Sequence, residues 1–311
     1  MKYSLNSLYK EIGLSKQAVY QSKQRQLAFD KELEVLVKEA DVLKKEHPGC
    51  GVEKMYHTLQ PETMGRDKFC EIFLSLGYGV RPVKNYTKTT VAGHINYPNI
   101  IAGMQVTRPY QVIQSDITYF YLNGKFYYLT FIIDVYTREI LGYHVSDHLR
   151  ASANVKALKM ALKNMKFNSG ELIHHSDRGS QYGSEIYRNL LKENGILISM
   201  GLTATDNAYA ERINGIIKNE YLKRWEIKDF TDLKRKTKKA VENHNNKRLH
   251  RSHKMQYTPI SFKTHWLTLA DQDRPKVIIY ADGNKNLKGT LSANEILPRT
   301  EPQAHNCPIA A

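Results

Sequence analysis

At 311 residues, with 41% apolar and 25% charged side chains, the chain is long enough for two or three domains and for a real core. No stretch approaches the roughly 18 unbroken apolar residues of a membrane span. The first residues lack the apolar run of a secretory signal, and three widely spaced cysteines, Cys50, Cys70 and Cys307, suggest a reducing cytoplasm rather than a disulfide framework. A formal net charge of +15 favours a polyanionic partner, because neutralising phosphates releases counterions.

Residues 4–24 read as helix, turn, helix. Leu5, Leu8 and Ile12 recur at helical spacing, Gly13 stops the first helix, and Ser15 can cap the next, which begins KQAVY. Such a pair is the sequence form of a helix-turn-helix, so Lys16 and Gln17 are candidate DNA contacts. A separate charged helix is expected at about 27–45, broken by His47-Pro48-Gly49. A second short helical pair covers 51–59 and 67–76 and ends at Gly77, with Arg66 and Lys68 as candidate DNA contacts. His47, Cys50, His57 and Cys70 contain no Cys-x-x-Cys pair, so a zinc site is not expected there. The modules are therefore drawn at 1–45 and 46–80, and 81–109, without a clear period, as a linker.

From residue 110 the texture changes to strands. QVIQSDITYFYL and KFYYLTFIIDV flank Asn123-Gly124, a two-residue hairpin signal, and REILGYHVS follows the Tyr136-Thr137 turn. A helix at 151–165, the strand ELIHHSD, a helix at 183–194, the strand ILISM, a helix at 207–222 and a basic helix at about 231–247 complete a mixed α/β order over 110–265. That order matches a ribonuclease H-like core. Residues 201–265 hold 15 basic and 7 acidic residues, over half of the whole excess; a solvated basic face is the plain alternative to a DNA surface. Residues 266–311 read as a tail, with a hairpin in KVIIYADGNKNLKGT and a disordered end.

Three carboxylates stand where these elements meet an edge of the sheet. Asp116 lies among Ile113, Ile117 and Tyr119 in the first strand, where a buried-facing Asp needs a reason. Asp177 ends the LIHHSD strand, and Glu211 lies on the first turns of the helix from Asn207. If the two strands are neighbours, the three converge and repel, and hard divalent cations such as Mg²⁺ relieve the repulsion. Two ions about 4 Å apart can stabilise both oxygens of an in-line phosphoryl displacement. Among 31 acidic residues, scattered surface carboxylates are the alternative.

QVIQSDITY, HHSDRGSQY and DNAYAERINGIIKNE resemble the three catalytic blocks of the bacterial transposases of insertion sequence family three, in their second-frame product. HNNKRLHRSHKMQYTPISF resembles that family's basic segment after the core, and HPGCGVEKMYHTL its second N-terminal helical module, so the likeness spans roughly residues 5–265. It implies a retroviral-integrase-like, ribonuclease H-like catalytic core preceded by small all-α helix-turn-helix modules. It implies Asp116, Asp177 and Glu211 as the catalytic, metal-binding triad, two Mg²⁺ ions for which Mn²⁺ substitutes, and cleavage followed by 3′-OH strand transfer. An element that joins its own ends into a circle before inserting is part of the same expectation. The implied partners are terminal inverted repeats, target DNA, further copies of the chain, and an upstream-frame helix-turn-helix protein or fusion, in a bacterial cytoplasm near the nucleoid. Two departures stand out. Ile113 replaces a common aromatic residue, and the 33 residues between Asp177 and Glu211 are about two fewer than usual, the shortening falling in 201–205.

Several neighbours are assigned with the triad. Asp134 is expected to be structural, Asp206 to cap the Glu211 helix, Asn207 to orient Glu211 or touch DNA, and His175 to make a local hydrogen bond. Lys218 follows Glu211 by seven residues, about 700° of helix, so the two share a face roughly 10 Å apart. Asn214 lies between them and Arg212 beside them, and all three are candidate DNA contacts. A tyrosine recombinase is disfavoured because His148-Leu149-Arg150 has the wrong spacing. A non-enzymatic DNA-binding regulator and a structure-selective nuclease are the remaining rivals.

Overall fold

The computed structural model describes residues 9, 11–80, 95–165, 171–201, 204–279 and 299–300. Leu5, Leu8 and most of the expected C-terminal hairpin and tail lie outside them. The chain divides into two compact units, Met1–Pro82 and Val83–Ala311. Among the described residues no helix is long and apolar enough to cross a membrane.

In the first unit Gly13 takes φ +69°, and Ser15 caps α1, Lys16–Glu46, its Oγ accepting from the Ala18 amide at 3.0 Å. The break expected near residue 25 is absent. Nothing between residues 16 and 46 is Gly or Pro, and good helix formers carry one helix for 31 residues. Its C-terminal half packs through Leu36 and Ala40 onto α2, Val52–Leu59, and α3, Arg66–Ser75, around Met55, Phe69 and Phe73. Residues drawn as two modules thus share one core, which also buries Cys50. Lys16 and Gln17 are exposed at the start of α1. Arg66 is exposed and paired with Asp67 at 2.8 Å, and Lys68 lies 4.1 Å over the Phe29 ring.

The second unit is built on a five-stranded sheet whose strands run, edge to edge, Ile140–Ser146, Lys125–Asp134, Val112–Leu122, Ile173–Ser176 and Leu197–Met200. Its first three strands in sequence are antiparallel: β3, Val112–Leu122; β4, Lys125–Asp134; and β5, Ile140–Ser146. Asn123 and Gly124, at φ 49° and 79°, make the two-residue turn between β3 and β4. β6, Ile173–Ser176, and β7, Leu197–Met200, add in parallel. The expected linker is only partly one. β1, Ile95–Asn96, and β2, Gln105–Val106, lie in it, and Ile101 and Val106 are fully buried. β2 pairs with β8, Val277–Ile278, and β1 with β9, Arg299–Thr300.

Strand alternation sends one set of side chains to each face. On one face Ile113, Ile132 and Leu141 pack against α4, Ala151–Asn164, and α5, Glu185–Glu193. There α4 lies so close that a Cβ on Gly142 would sit 2.2 Å from the Ala157 carbonyl oxygen. On the other face Phe120, Leu129, Phe131 and Val145 pack against α6, Ala208–Ile216, its π-helical continuation Ile217–Leu222, and α7, Phe230–Asn246.

Asp134 is structural, as expected. Fully buried, it accepts hydrogen bonds from the Tyr110, Tyr136 and Thr137 amides and, at 2.7 Å, from the Thr137 hydroxyl. The turn it organises is clasped from outside: His244 Nε2 donates to the Arg138 carbonyl at 3.0 Å and His253 Nε2 to the Thr137 carbonyl at 2.9 Å. Asn245 both accepts from the Ile140 amide and donates to its carbonyl, each at 2.9 Å.

Burial holds His253 down at a pKa of about 4, against 6.5 in an unfolded chain. Protons therefore favour the unfolded state, so this contribution is intact above pH 6.5 and is lost as pH falls toward 4. Relative to His253→Gln, the wild type should lose about 1.4 kcal/mol per pH unit across that window. Urea unfolding of both proteins at pH 7 and pH 5 checks this; a constant stability difference would contradict it.

Candidate active site

The site forms where a short strand stops beside a long one. β6 pairs with β3 only from Val112↔Ile173 to Ser115↔Ser176. Asp116 is the next residue on β3 and Asp177 the next after β6, so a parallel register brings the two carboxylates side by side. Asp177 is steadied by the Gly179 amide, which donates to its Oδ1 at 3.0 Å.

α6 brings the third carboxylate. Its start is pinned to β3 by Asn207 Nδ2, which donates to the Ser115 carbonyl at 3.0 Å, and by the Ala210 amide, which donates to Gln114 Oε1 at 3.2 Å. Glu211 stands exposed on the first turn. One turn on, Asn214 Nδ2 donates to Asp116 Oδ2 at 2.7 Å. Beyond it, half-buried Lys218 donates to Thr118 Oγ1 at 2.9 Å.

All three carboxylates feel one another. Burial, then Asp177, then Glu211 push the Asp116 carboxyl up to about 7, against the Ile117 amide and Asn214, which favour its charged form. Partial desolvation and Asp177 raise Glu211 as well. Burial and neighbouring Lys223 lower the Lys218 ammonium, while Asp116 raises it. Among the described residues no group of three or more His, Cys, Asp or Glu side chains stands ready-arranged to hold a metal ion. The donor set is nonetheless all hard oxygen, with mutually repelling negative charge, which suits Mg²⁺ chemically.

Other expected residues find different places. Asn207 is buried at 2% exposure, so it positions α6 rather than facing DNA. Asn214 is turned to Asp116 rather than outward, while Arg212 is exposed. Asp206 does not cap α6; it lies in a 3-10 turn, and Asn207 occupies the N-cap position without a side-chain cap bond. His175 makes the local bond expected, its Nδ1 at 2.8 Å from Ser199 Oγ. The α-helix expected to 222 turns π-helical at Ile217, so a uniform 100° per residue does not reach Lys218; the lysine still faces β3. Sequence reasoning missed Tyr182, fully buried, whose hydroxyl meets Ser115 Oγ at 2.9 Å behind Asp116.

The integrase core domain matches in two overlapping pieces, residues 106–205 and 196–259. The transposase for insertion sequence element IS629 of Shigella sonnei is 32% identical over 264 residues, 80% of this chain and 88% of that protein. An uncharacterized 31 kDa protein of insertion element IS600, also from Shigella sonnei, is 30% identical over 67% of this chain and 78% of its own length. Transposase InsF of insertion sequence IS3A from Escherichia coli K12 is 35% identical over a shorter stretch, 33% of this chain and 36% of that protein. The HTLV-2 integrase catalytic core domain is a looser likeness, at 19% identity and a TM-score of 0.39 over 46% of this chain and 90% of that one. Sequence identity sustained over most of a transposase, with the integrase core matched from β2 to the start of α8, Pro259–Trp266, places the chain among the insertion-sequence transposases of the family-three type.

Proposed function

We propose that Asp116, Asp177 and Glu211 are the catalytic carboxylates of this transposase and ligate two Mg²⁺ ions, for which Mn²⁺ substitutes. The observation that carries the reading is the β3–β6 register that sets Asp177 beside Asp116, with α6 holding Asn214 on Asp116 one turn beyond Glu211. When bound, such ions stabilise the attacking and leaving oxygens of an in-line phosphoryl displacement.

The chain's own residues hold and orient. Asn214 fixes the Asp116 carboxylate, the Gly179 amide fixes Asp177, and exposed Glu211 completes the set. In the first reaction a water oxygen bonds to phosphorus at the element end and the bond from phosphorus to the 3′ oxygen breaks, freeing a 3′-OH. In the second, that oxygen bonds to another phosphorus and displaces another 3′ oxygen, with no covalent protein–DNA intermediate. Lys218, braced on Thr118, meets the phosphate beside the scissile bond, and Arg212 meets the backbone farther out. The N-terminal unit, through Lys16, Gln17, Arg66 and Lys68, reads the terminal inverted repeats, and the core adds salt-sensitive phosphate contacts to end and target DNA. The active form is a homo-oligomer on DNA, with an upstream-frame helix-turn-helix protein or fusion as a further partner.

Asp116→Asn, Asp177→Asn and Glu211→Gln should each lower cleavage and joining by about a hundredfold or more and leave end binding nearly unchanged. Gel analysis of labelled end DNA in Mg²⁺ measures both. Near wild-type joining by any one variant removes that residue from the site. Lys218→Ala should cost transfer about ten- to a hundredfold, the worth of a charged hydrogen bond. Lys238→Ala, on the exposed face of α7, should cost little. Equal small losses from Lys218→Ala and Lys238→Ala would make Lys218 part of a diffuse basic surface.

A further inference from the structure

β3 continues well past the strand that flanks it. β6 covers it only to Ser115, so from Asp116 to Leu122 the strand projects with β4 as a hairpin. One face of that hairpin is fastened down. Phe120, Leu122 and Leu129 enter the core beneath α6 and α7, and Tyr127 stacks on Phe230 at 4.7 Å. The tip is tied by Asn123 Nδ2, which donates to the Lys228 carbonyl at 2.8 Å.

The opposite face carries aromatic residues in register. Tyr119 pairs across the ladder with Tyr128, and Tyr121 with Phe126. On this face α4 reaches as far as Thr130, whose hydroxyl donates to Asn154. Tyr121 and Phe126 beyond it are 61% and 45% exposed. The rings meet edge-on or tilted, at 85° for Tyr119 with Phe126, 68° for Tyr119 with Tyr128 and 58° for Tyr121 with Phe126. None of these three contacts stacks one ring flat on another, and the exposed rings of Tyr121 and Phe126 offer their π-faces to a planar guest. By strand alternation Asp116 points to the α6 face, so the row meets the carboxylates only around the free edge of β3 that β6 leaves uncovered after Ser115. At about 3.3 Å per residue, Tyr119 and Tyr121 stand roughly 10 and 17 Å along the strand from Asp116.

We propose that this face is a stacking platform for unpaired nucleobases of the DNA strand next to the scissile phosphate. The inference rests on the carboxylate site being the catalytic centre. Aromatic rings in place of aliphatic side chains favour bases as the occupant, because every base offers a π-face and such stacking tolerates any sequence. At the 3.4 Å spacing of a stacked strand, the platform lies roughly three to five nucleotides from the reacting phosphorus. It would hold flanking bases out of the duplex and so leave the scissile phosphate accessible to the site.

The test uses the full chain and end DNA with unpaired flanking nucleotides, either intact or carrying abasic sites at those positions. Wild type should bind the abasic DNA about tenfold more weakly. Tyr121→Ala/Phe126→Ala should bind both DNAs alike, at the wild type's abasic affinity, whereas Tyr121→Phe/Phe126→Tyr should keep the full difference. Equal wild-type affinity for intact and abasic DNA overturns the proposal, as does a double-alanine protein that still discriminates. Loss of self-association in sedimentation, with base discrimination intact, would instead assign the face to a second copy of the chain. Should the double variant fail to fold, Tyr121→Ser at the most exposed ring gives the same comparison. Mg²⁺-dependent cleavage by wild type in parallel separates the two readings: no cleavage counts against the carboxylate site, whereas cleavage without base discrimination counts against the platform alone.

Discussion

Charge repulsion at the end of β6 is the constraint around which the second unit is arranged. A parallel register carries Asp177 to the side of Asp116, and α6 adds Glu211 to the same field. Such a cluster opposes its own ionisation unless a cation or a proton offsets it. The surroundings hold the cluster in place through hydrogen bonds. Asn214 and Gly179 each give one hydrogen bond to a carboxylate, and Lys218 is turned to Thr118.

The rest of the unit reads as support for that geometry. Buried polar side chains, Gln114 and Asn207, tie the start of α6 to β3 rather than leaving it to apolar packing alone. Tyr182 fixes Ser115 from the opposite face. Farther out, Asp134 and the clasp of His244, Asn245 and His253 lock the β4–β5 turn. Hydrogen bonds of this kind contribute modestly one by one, and their directionality is what fixes a strand and a helix in register.

Much of this was legible in the sequence because it depends on local chemistry. Asn123-Gly124 needs positive φ at both positions, and the alternation of β3 and β4 sets which carboxylate faces α6. The three acidic blocks are short and distinctive. What could not be read depends on tertiary contact. Residues 95–109 have no period, yet Ile101 and Val106 are buried by partners far along the chain. Asn207 and Asn214 looked like outward polar residues, and only the position of β3 turns them inward. The π-helical turn at Ile217 leaves no signature in composition. The continuous α1 departs from the expected separate helices at 4–24 and 27–45 because nothing from Lys16 to Glu46 is Gly or Pro to break it.

The central claim is that the carboxylates are held together against their own repulsion and await a divalent cation. Thermal unfolding at pH 8, with and without millimolar Mg²⁺, tests it on the wild type and Asp116→Asn, a substitution that removes one charge and keeps an acceptor for Asn214. The account predicts that Mg²⁺ raises the wild-type Tm, and that Asp116→Asn is more stable than the metal-free wild type and gains little from Mg²⁺. A wild type indifferent to Mg²⁺ and no less stable than the variant would contradict it.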